Sequence, residues 1–192
     1  MKKIFTMLLL AIVLIGCSDN SNEGVNEDPT NEESKEHENN VSEQEEENKT
    51  KVYQIGETAV ITSDIYEFDY EVTVTDFNLT TEVDDTTISD FITGANDRTR
   101  FAVVDVTIKN ISDEEIIPNR QFSANLGGDD EQGGEITYNE FFPEGDETLE
   151  PGQEVNGHLV YTTFSDYADN FVLKYELMSD EETHFILPNP EK

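Results

Sequence analysis

Three kinds of side chain in this 192-residue chain could do chemistry: a single thiol, three imidazoles and 44 carboxylates. The thiol is Cys17, and with no second cysteine an internal disulfide framework is excluded. Of the imidazoles, His158 and His184 could meet carboxylates in three dimensions as general-base pairs. Local patterning instead assigns His158 to the polar face of a strand and His184 to a surface or capping position, while His37 reads as a solvated linker residue. The carboxylates gather in short runs: Asp129, Asp130 and Glu131 between glycines, Asp84 with Asp85, and Glu144 with Asp146. Ca²⁺ takes about six to eight oxygens, and the flanking glycines would let carbonyls turn inward, so Asp129, Asp130 and Glu131 are the candidate metal ligands. Against that stands their spacing, which does not fit an EF-hand loop, so a solvated acidic loop is the competing reading. No G-x-S-x-G elbow, H-E-x-x-H, S-x-x-K or P-loop occurs, and an enzyme is not expected.

The setting of Cys17 gives it a different role. Lys2 and Lys3 follow the start, an apolar run extends from Met7 to Ile15, and Gly16 precedes the cysteine. That order is a secretory signal. Nine consecutive apolar residues are too few to cross a hydrocarbon core of about 30 Å as a helix, so a membrane-spanning segment is not expected. Leu14 to Cys17 resembles the bacterial lipoprotein box, in which a small residue precedes a cysteine that is lipidated and becomes the new N-terminus. Acylation with two or three chains would anchor the protein stably, since each buried CH₂ contributes about 0.8 kcal/mol. The expectation is a signal peptide over residues 1–16, a lipidated Cys17 and a mature protein on the extracytoplasmic face of the cell membrane. An exported chain without disulfides fits a Gram-positive envelope better than an oxidising periplasm.

Charge divides the remainder. Ser18 to Thr50 holds 12 carboxylates, two lysines and no aromatic residue. Such a segment cannot bury enough surface to offset its ordering entropy, so residues 17–50 are expected to form a disordered acidic tether. As a coil it would span about 30 Å, and up to about 110 Å fully extended. The whole chain carries a net charge of −33, which repels phosphate backbones and argues against nucleic-acid binding. Electrostatic partners are expected to be cationic: metal ions, basic proteins or basic peptides.

Seventeen of the eighteen aromatics lie between Tyr53 and Phe185, so residues 51–192 must build the core. Phe68 to Thr75 alternates apolar with polar, the signature of a half-buried strand, and the parity slips after Asp76, which predicts a β-bulge. Ala102 to Ile108, Val155 to Tyr161 and Phe171 to Leu177 alternate in the same way, the last two each with one wet face. Weaker strands are expected at Ala59–Thr62, Gln121–Leu126, Gly134–Tyr138 and His184–Leu187, and a short helix at Ile88, Phe91 and Ile92. Eight short strands separated by turn signals predict an all-β sandwich of antiparallel sheets.

The strand Phe101 to Asn110, then Pro118 to Phe122 with Leu126, then Leu149 to Gln153 and Gly157 to Tyr161, resembles a domain of unknown function common in Gram-positive lipoproteins, called telokin-like or immunoprotective-extracellular-protein-like. The resemblance covers roughly Tyr53 to Met178. It implies an immunoglobulin-like β-sandwich at the cell surface, with no catalytic residues to carry over. Asn110 and Pro151-Gly152 have structural reasons to be present, as a side-chain-supported turn and the centre of a type II turn. The acidic stretch Gly127 to Gly134 departs from the short hairpin expected there. The expected function is a membrane-anchored lipoprotein whose sandwich binds a protein or envelope component, with Phe141 and Phe142 before Pro143 as the candidate exposed contact, although such a pair more often packs into a core. The alternative is a lipoprotein that binds Ca²⁺ or a small ligand.

Overall fold

Apolar–polar alternation governs residues 49–192, the stretch that the computed structural model describes. The strands are β1 (Lys49–Gln54), β2 (Thr58–Thr62), β3 (Asp69–Thr80), β4 (Glu82–Val83), β5 (Thr86–Thr87), β6 (Thr99–Asn110), β7 (Ala124–Gly128), β8 (Glu135–Ile136), β9 (Glu154–Phe164), β10 (Asn170–Tyr175) and β11 (Glu181–Pro188). One sheet runs β1-β11-β10-β7-β8, the other β2-β3-β6-β9, and β4 pairs with β5 in a small hairpin. The result is the all-β sandwich that the alternation predicts. One pairing departs from the antiparallel expectation: β1 lies parallel to β11, with Lys49 opposite Glu181 and Tyr53 opposite Phe185. The strand starts two residues before the expected boundary at Lys51, and it is mostly exposed because only Tyr53 packs on the core, 5.5 Å from the Phe185 ring.

In β6, Ala102, Val104, Val106 and Ile108 point into the sandwich and meet Tyr70, Val72 and Val74 of β3 and Leu173 and Phe185 of the facing sheet. The expected bulge in β3 falls between Val74 and Asp76, shifting the register so that Phe77 and Leu79 keep facing the core. Phe101 starts β6 covered on its other face as well: with Ile88 of α1 (Ile88–Phe91), Val83, Phe141 and Val160 it forms a second, smaller core outside the four-stranded sheet. The predicted strand Gln121–Leu126 starts only at Ala124, because Pro118 sits in the first turn of α2 (Pro118–Gln121), where its missing N–H costs nothing.

Two sequence expectations fail here. Phe141 and Phe142 are both buried, and cannot form an exposed contact. Phe141 stacks edge-on against Phe101 in the outer core, and Phe142 covers β9 where Gly157 leaves room for its ring. A Cβ at Gly157 would lie 2.1 Å from Phe142 Cε2. The other failure is β10, expected to have a wet face. Lys174 and the following Glu176 are both buried, the first beneath the glycine-rich loop and the second against Tyr70, whose hydroxyl donates to Glu176 Oε1 at 3.0 Å.

The turn residues act as expected, and Asn110 does more. Gly152 has φ 81°, as the third residue of a type II turn requires. Asn110 is fully buried: its Nδ2 donates to the carbonyls of Glu114 (2.7 Å) and Leu149 (2.9 Å), and its Oδ1 accepts from the Ser112 N–H and hydroxyl. One side chain thus joins the end of β6 to two separate turns. Asn110→Ala should cost about 2 kcal/mol or more, because the Leu149 and Glu114 carbonyls each lose one of their two donors and the Ser112 N–H loses its acceptor. Gly157→Ala should cost about 1–3 kcal/mol through overpacking against Phe142. Urea denaturation of the full chain checks both, and unchanged midpoints would refute the packing described.

Candidate binding groove beside the glycine-rich loop

The loop between β7 and β8 is organised by a buried cation. Lys174 lies mid-strand in β10, and its ammonium donates to the carbonyls of Glu131 and Gly133 (2.8 Å to the latter). An ammonium removed from water is costly unless it is paired, and these carbonyls supply the pairing. The Glu131 side chain then turns back: one oxygen accepts from the Gly128 N–H at 2.9 Å, and the other accepts from the Tyr167 hydroxyl. Gly127 permits the closure, since a Cβ there would lie 2.8 Å from the Gly133 carbonyl.

These contacts set the local acidity. The Tyr167 hydroxyl, helped by the Gly128 N–H, holds the Glu131 carboxyl below the usual carboxylate range. Conversely, the hydrogen bond to Glu131 pushes the Tyr167 phenol up to about 12, with some desolvation and the negative charge of Glu131, Glu135 and Asp130 adding to it. The phenol is thus bound to one carboxylate and lies in the field of two more, which makes this rim negative.

The loop divides two hollows. On one side a groove of about 520 Å³ runs between the loop and the end of β9, with Leu126 and Phe171 inside it and Thr162, Thr163, Phe164 and Tyr167 along its edge. Phe164 and Tyr167 are roughly half exposed, and the Arg98 guanidinium lies 5.6 Å from the Phe164 ring. On the other side a cleft of about 570 Å³ is lined by Lys174, Leu177, Met178, Glu182 and His184. His184 Nε2 is 2.7 Å from Glu182 Oε2 there.

The groove also meets an open strand edge. β9 borders its sheet, and at Val160 the outer N–H and carbonyl are taken by the Thr137 hydroxyl (3.2 Å) and the Tyr138 N–H (2.9 Å). Backbone groups repeat their direction every second residue, so those of Thr162 and the Phe164 N–H face the same way. No described residue hydrogen-bonds to them.

The residues singled out in the sequence are distributed unevenly over this geometry. Cys17 and His37 lie outside the described residues. Asp129, Asp130 and Glu131 are on the loop: Glu131 is engaged with Gly128 and Tyr167, Asp129 Oδ2 accepts from Asn170 at 3.5 Å, and Asp130 is solvent-exposed. Among the described residues, no three His, Cys, Asp or Glu side chains are grouped so as to hold a metal ion. His158 does find a carboxylate, Asp84 Oδ2 at 3.1 Å, but Asp84 is solvent-exposed and the pair lines neither hollow. Next to His158, burial raises the Asp105 carboxyl above its ordinary value. Sequence reasoning missed Thr162, Phe164, Tyr167 and Lys174 as a group. The available signal was Lys174, a lone cation inside the apolar run from Phe171 to Tyr175.

Fold and site together define a two-sheet β-sandwich whose distinctive feature is a locked acidic loop beside an open strand edge. Residues 53–183 match the profile of the domain of unknown function DUF4352, and the chain belongs to that family. The match encloses the stretch in which the sequence resemblance lies. No curated protein matches the chain. Among solved structures it is similar to the ycdA protein of Bacillus subtilis (16% identity, TM-score 0.44, covering 68% of this chain and 38% of that one). It is also similar to an uncharacterised β-sandwich protein of Clostridium difficile 630 (16%, 0.44, covering 73% and 95%). A third is the secreted protein MPT63 of Mycobacterium tuberculosis (14%, 0.43, covering 72% and 97%).

The Tyr167–Glu131 contact has a pH signature of definite sign. A carboxyl lowered on folding contributes stability that is present above its unfolded value, near 4.5, and lost as pH falls. A phenol raised to about 12 contributes stability that is present below 10 and lost as pH rises through 12. In a difference titration at the phenolate band, Glu131→Gln should therefore show one tyrosine ionising earlier than in the parent chain. Superimposable titrations would contradict the contact.

Proposed function

We propose that this DUF4352 chain is a surface lipoprotein, anchored through Cys17 to the outer face of a Gram-positive cell membrane and carrying its sandwich on the acidic tether of residues 17–50. The domain is a non-enzymatic binding module of the telokin-like or immunoprotective-extracellular-protein-like kind, and it binds a protein or envelope component in the groove between the glycine-rich loop and β9. The observation that carries this reading is the groove itself: aromatic and apolar inside, held in shape by Lys174, and bordered by half-exposed Phe164 and Tyr167. Little supports the alternative, Ca²⁺ binding, because Glu131 is already engaged by Gly128 and Tyr167 and no three carboxylates are grouped around a common point among the described residues.

Three measurements test the proposal. Cys17→Ala should move the protein from the membrane fraction to the medium; retention on membranes would remove the anchor. A photo-crosslinking residue at Phe164 of the full chain should give a discrete adduct in intact envelopes, and the same residue at exposed Val60, on the opposite edge of the four-stranded sheet, should give none. Equal labelling would contradict a groove-centred site. Millimolar Ca²⁺ should raise Tm no more than Mg²⁺ at equal ionic strength, whereas a specific site filled at a hundredfold excess over Kd would add about 2.7 kcal/mol.

A further inference from the structure

We propose that the groove takes an extended, basic segment of a partner protein as an added strand on β9, paired through the backbone of Thr162 and Phe164. The inference rests on the binding-module reading and adds the mode of binding and the chemistry of the partner.

Four observations lead there. The outer edge of β9 is covered at Val160 by Thr137 and Tyr138 and then left open at Thr162, so the sheet already has one partner on this edge and the pairing stops short. Exposed edges recruit strands, and proteins commonly blunt them with charge, proline or a covering element. Here the edge residues Thr162, Thr163 and Phe164 are neutral, and they border a hollow rather than a packed neighbour. A strand laid beside them would accept from the Thr162 and Phe164 N–H groups and donate to the Thr162 carbonyl. Every second side chain of that strand would enter the gap between the sheets, where Leu126 and Phe171 provide apolar contact.

Charge selects the occupant. Glu131 and Glu135 line the groove, Glu131 bound to the Tyr167 hydroxyl, and Asp130 is exposed on the same loop, while the cation over the Phe164 ring, Arg98, is already paired with Asp166. Two kinds of occupant would themselves be acidic, a second copy of the chain with its net charge of −33 and a segment as rich in carboxylates as Ser18–Thr50. Like charge works against both, and it favours a segment with lysine or arginine at the outward positions and apolar residues at the inward ones. Glu131 is already bound to Gly128 and Tyr167, so Asp130 and Glu135 are the carboxylates free to meet the incoming cations.

The test uses the full chain and a labelled peptide of alternating lysine and valine. Three control peptides accompany it: one with glutamate in place of lysine, one of the same composition with lysines and valines in separate blocks, and one N-methylated at every second residue to remove the N–H donors that face β9. We expect the alternating peptide to bind, with the Thr162 amide slowed in hydrogen exchange on binding. Each control should bind roughly tenfold more weakly or less, as expected for loss of one or more net hydrogen bonds or of charge complementarity. Asp130→Lys with Glu135→Lys, both at exposed positions, should weaken binding with the circular dichroism spectrum unchanged.

Equal binding of the N-methylated peptide would overturn strand addition in favour of diffuse attraction. A Thr162 amide already slow in the free chain, together with a dimer in sedimentation, would overturn it in favour of a second copy. If the Phe164 crosslink forms in envelopes but no peptide protects Thr162, the binding module stands and strand addition falls. If neither occurs, both fall.

Discussion

The pairing of the Lys174 ammonium with the Glu131 and Gly133 carbonyls is the interaction on which the site depends. A cation in the middle of a buried strand has to find oxygen, and the chain supplies it by folding the glycine-rich loop over the outer face of the five-stranded sheet. Everything else at that end follows. With the loop closed, Glu131 reaches Gly128 and Tyr167, the hollow to one side becomes a groove against β9, and the hollow to the other becomes the cleft bearing His184 and Glu182. Without the ammonium the Glu131 and Gly133 carbonyls would have to turn to water, so the role assigned to Lys174 is to hold the shape of the loop.

The sandwich supplies the frame. Its core is shared between two sheets whose inner faces carry the alternating residues of β3, β6, β9, β10 and β11, and its ends are tied by single polar residues such as Asn110. The four-stranded sheet is finished at one edge by β2, whereas β9 at the other edge is covered only in part. On the proposed reading, an open edge next to a carboxylate rim in an acidic chain would discriminate against the chain's own copies while staying open to basic partners.

The fold was largely legible in the sequence, and the site was not. Alternation located β3, β6, β9 and β10, the parity slip after Asp76 located the bulge, and Pro151-Gly152 located its turn, because each is a local signal with a period or a dipeptide behind it. The strand β1 escaped because its pairing is long-range and parallel, and its pattern of exposed residues lacks an apolar stripe. Lys174 was assigned to solvent by the same alternation that correctly placed its neighbours: a period-2 pattern reports which sheet face a residue takes, not whether a distant loop covers that face. Phe141 and Phe142 are an apolar pair beside loop residues, a pattern that leaves both an exposed contact and core packing open, and the glycine that accommodates Phe142 lies on another strand. The carboxylate cluster was visible as composition, but the direction of each side chain was settled by Gly128, Tyr167 and Asn170, of which two lie on a different segment.

Amide hydrogen exchange of the full chain with Lys174→Met tests the central claim most directly. If the buried ammonium shapes the loop, amides from Gly128 to Gly134 should lose protection while those of β3, β6 and β10 keep theirs. Protection of the loop equal to that in the parent chain would show that the loop closes without Lys174, and would contradict the account.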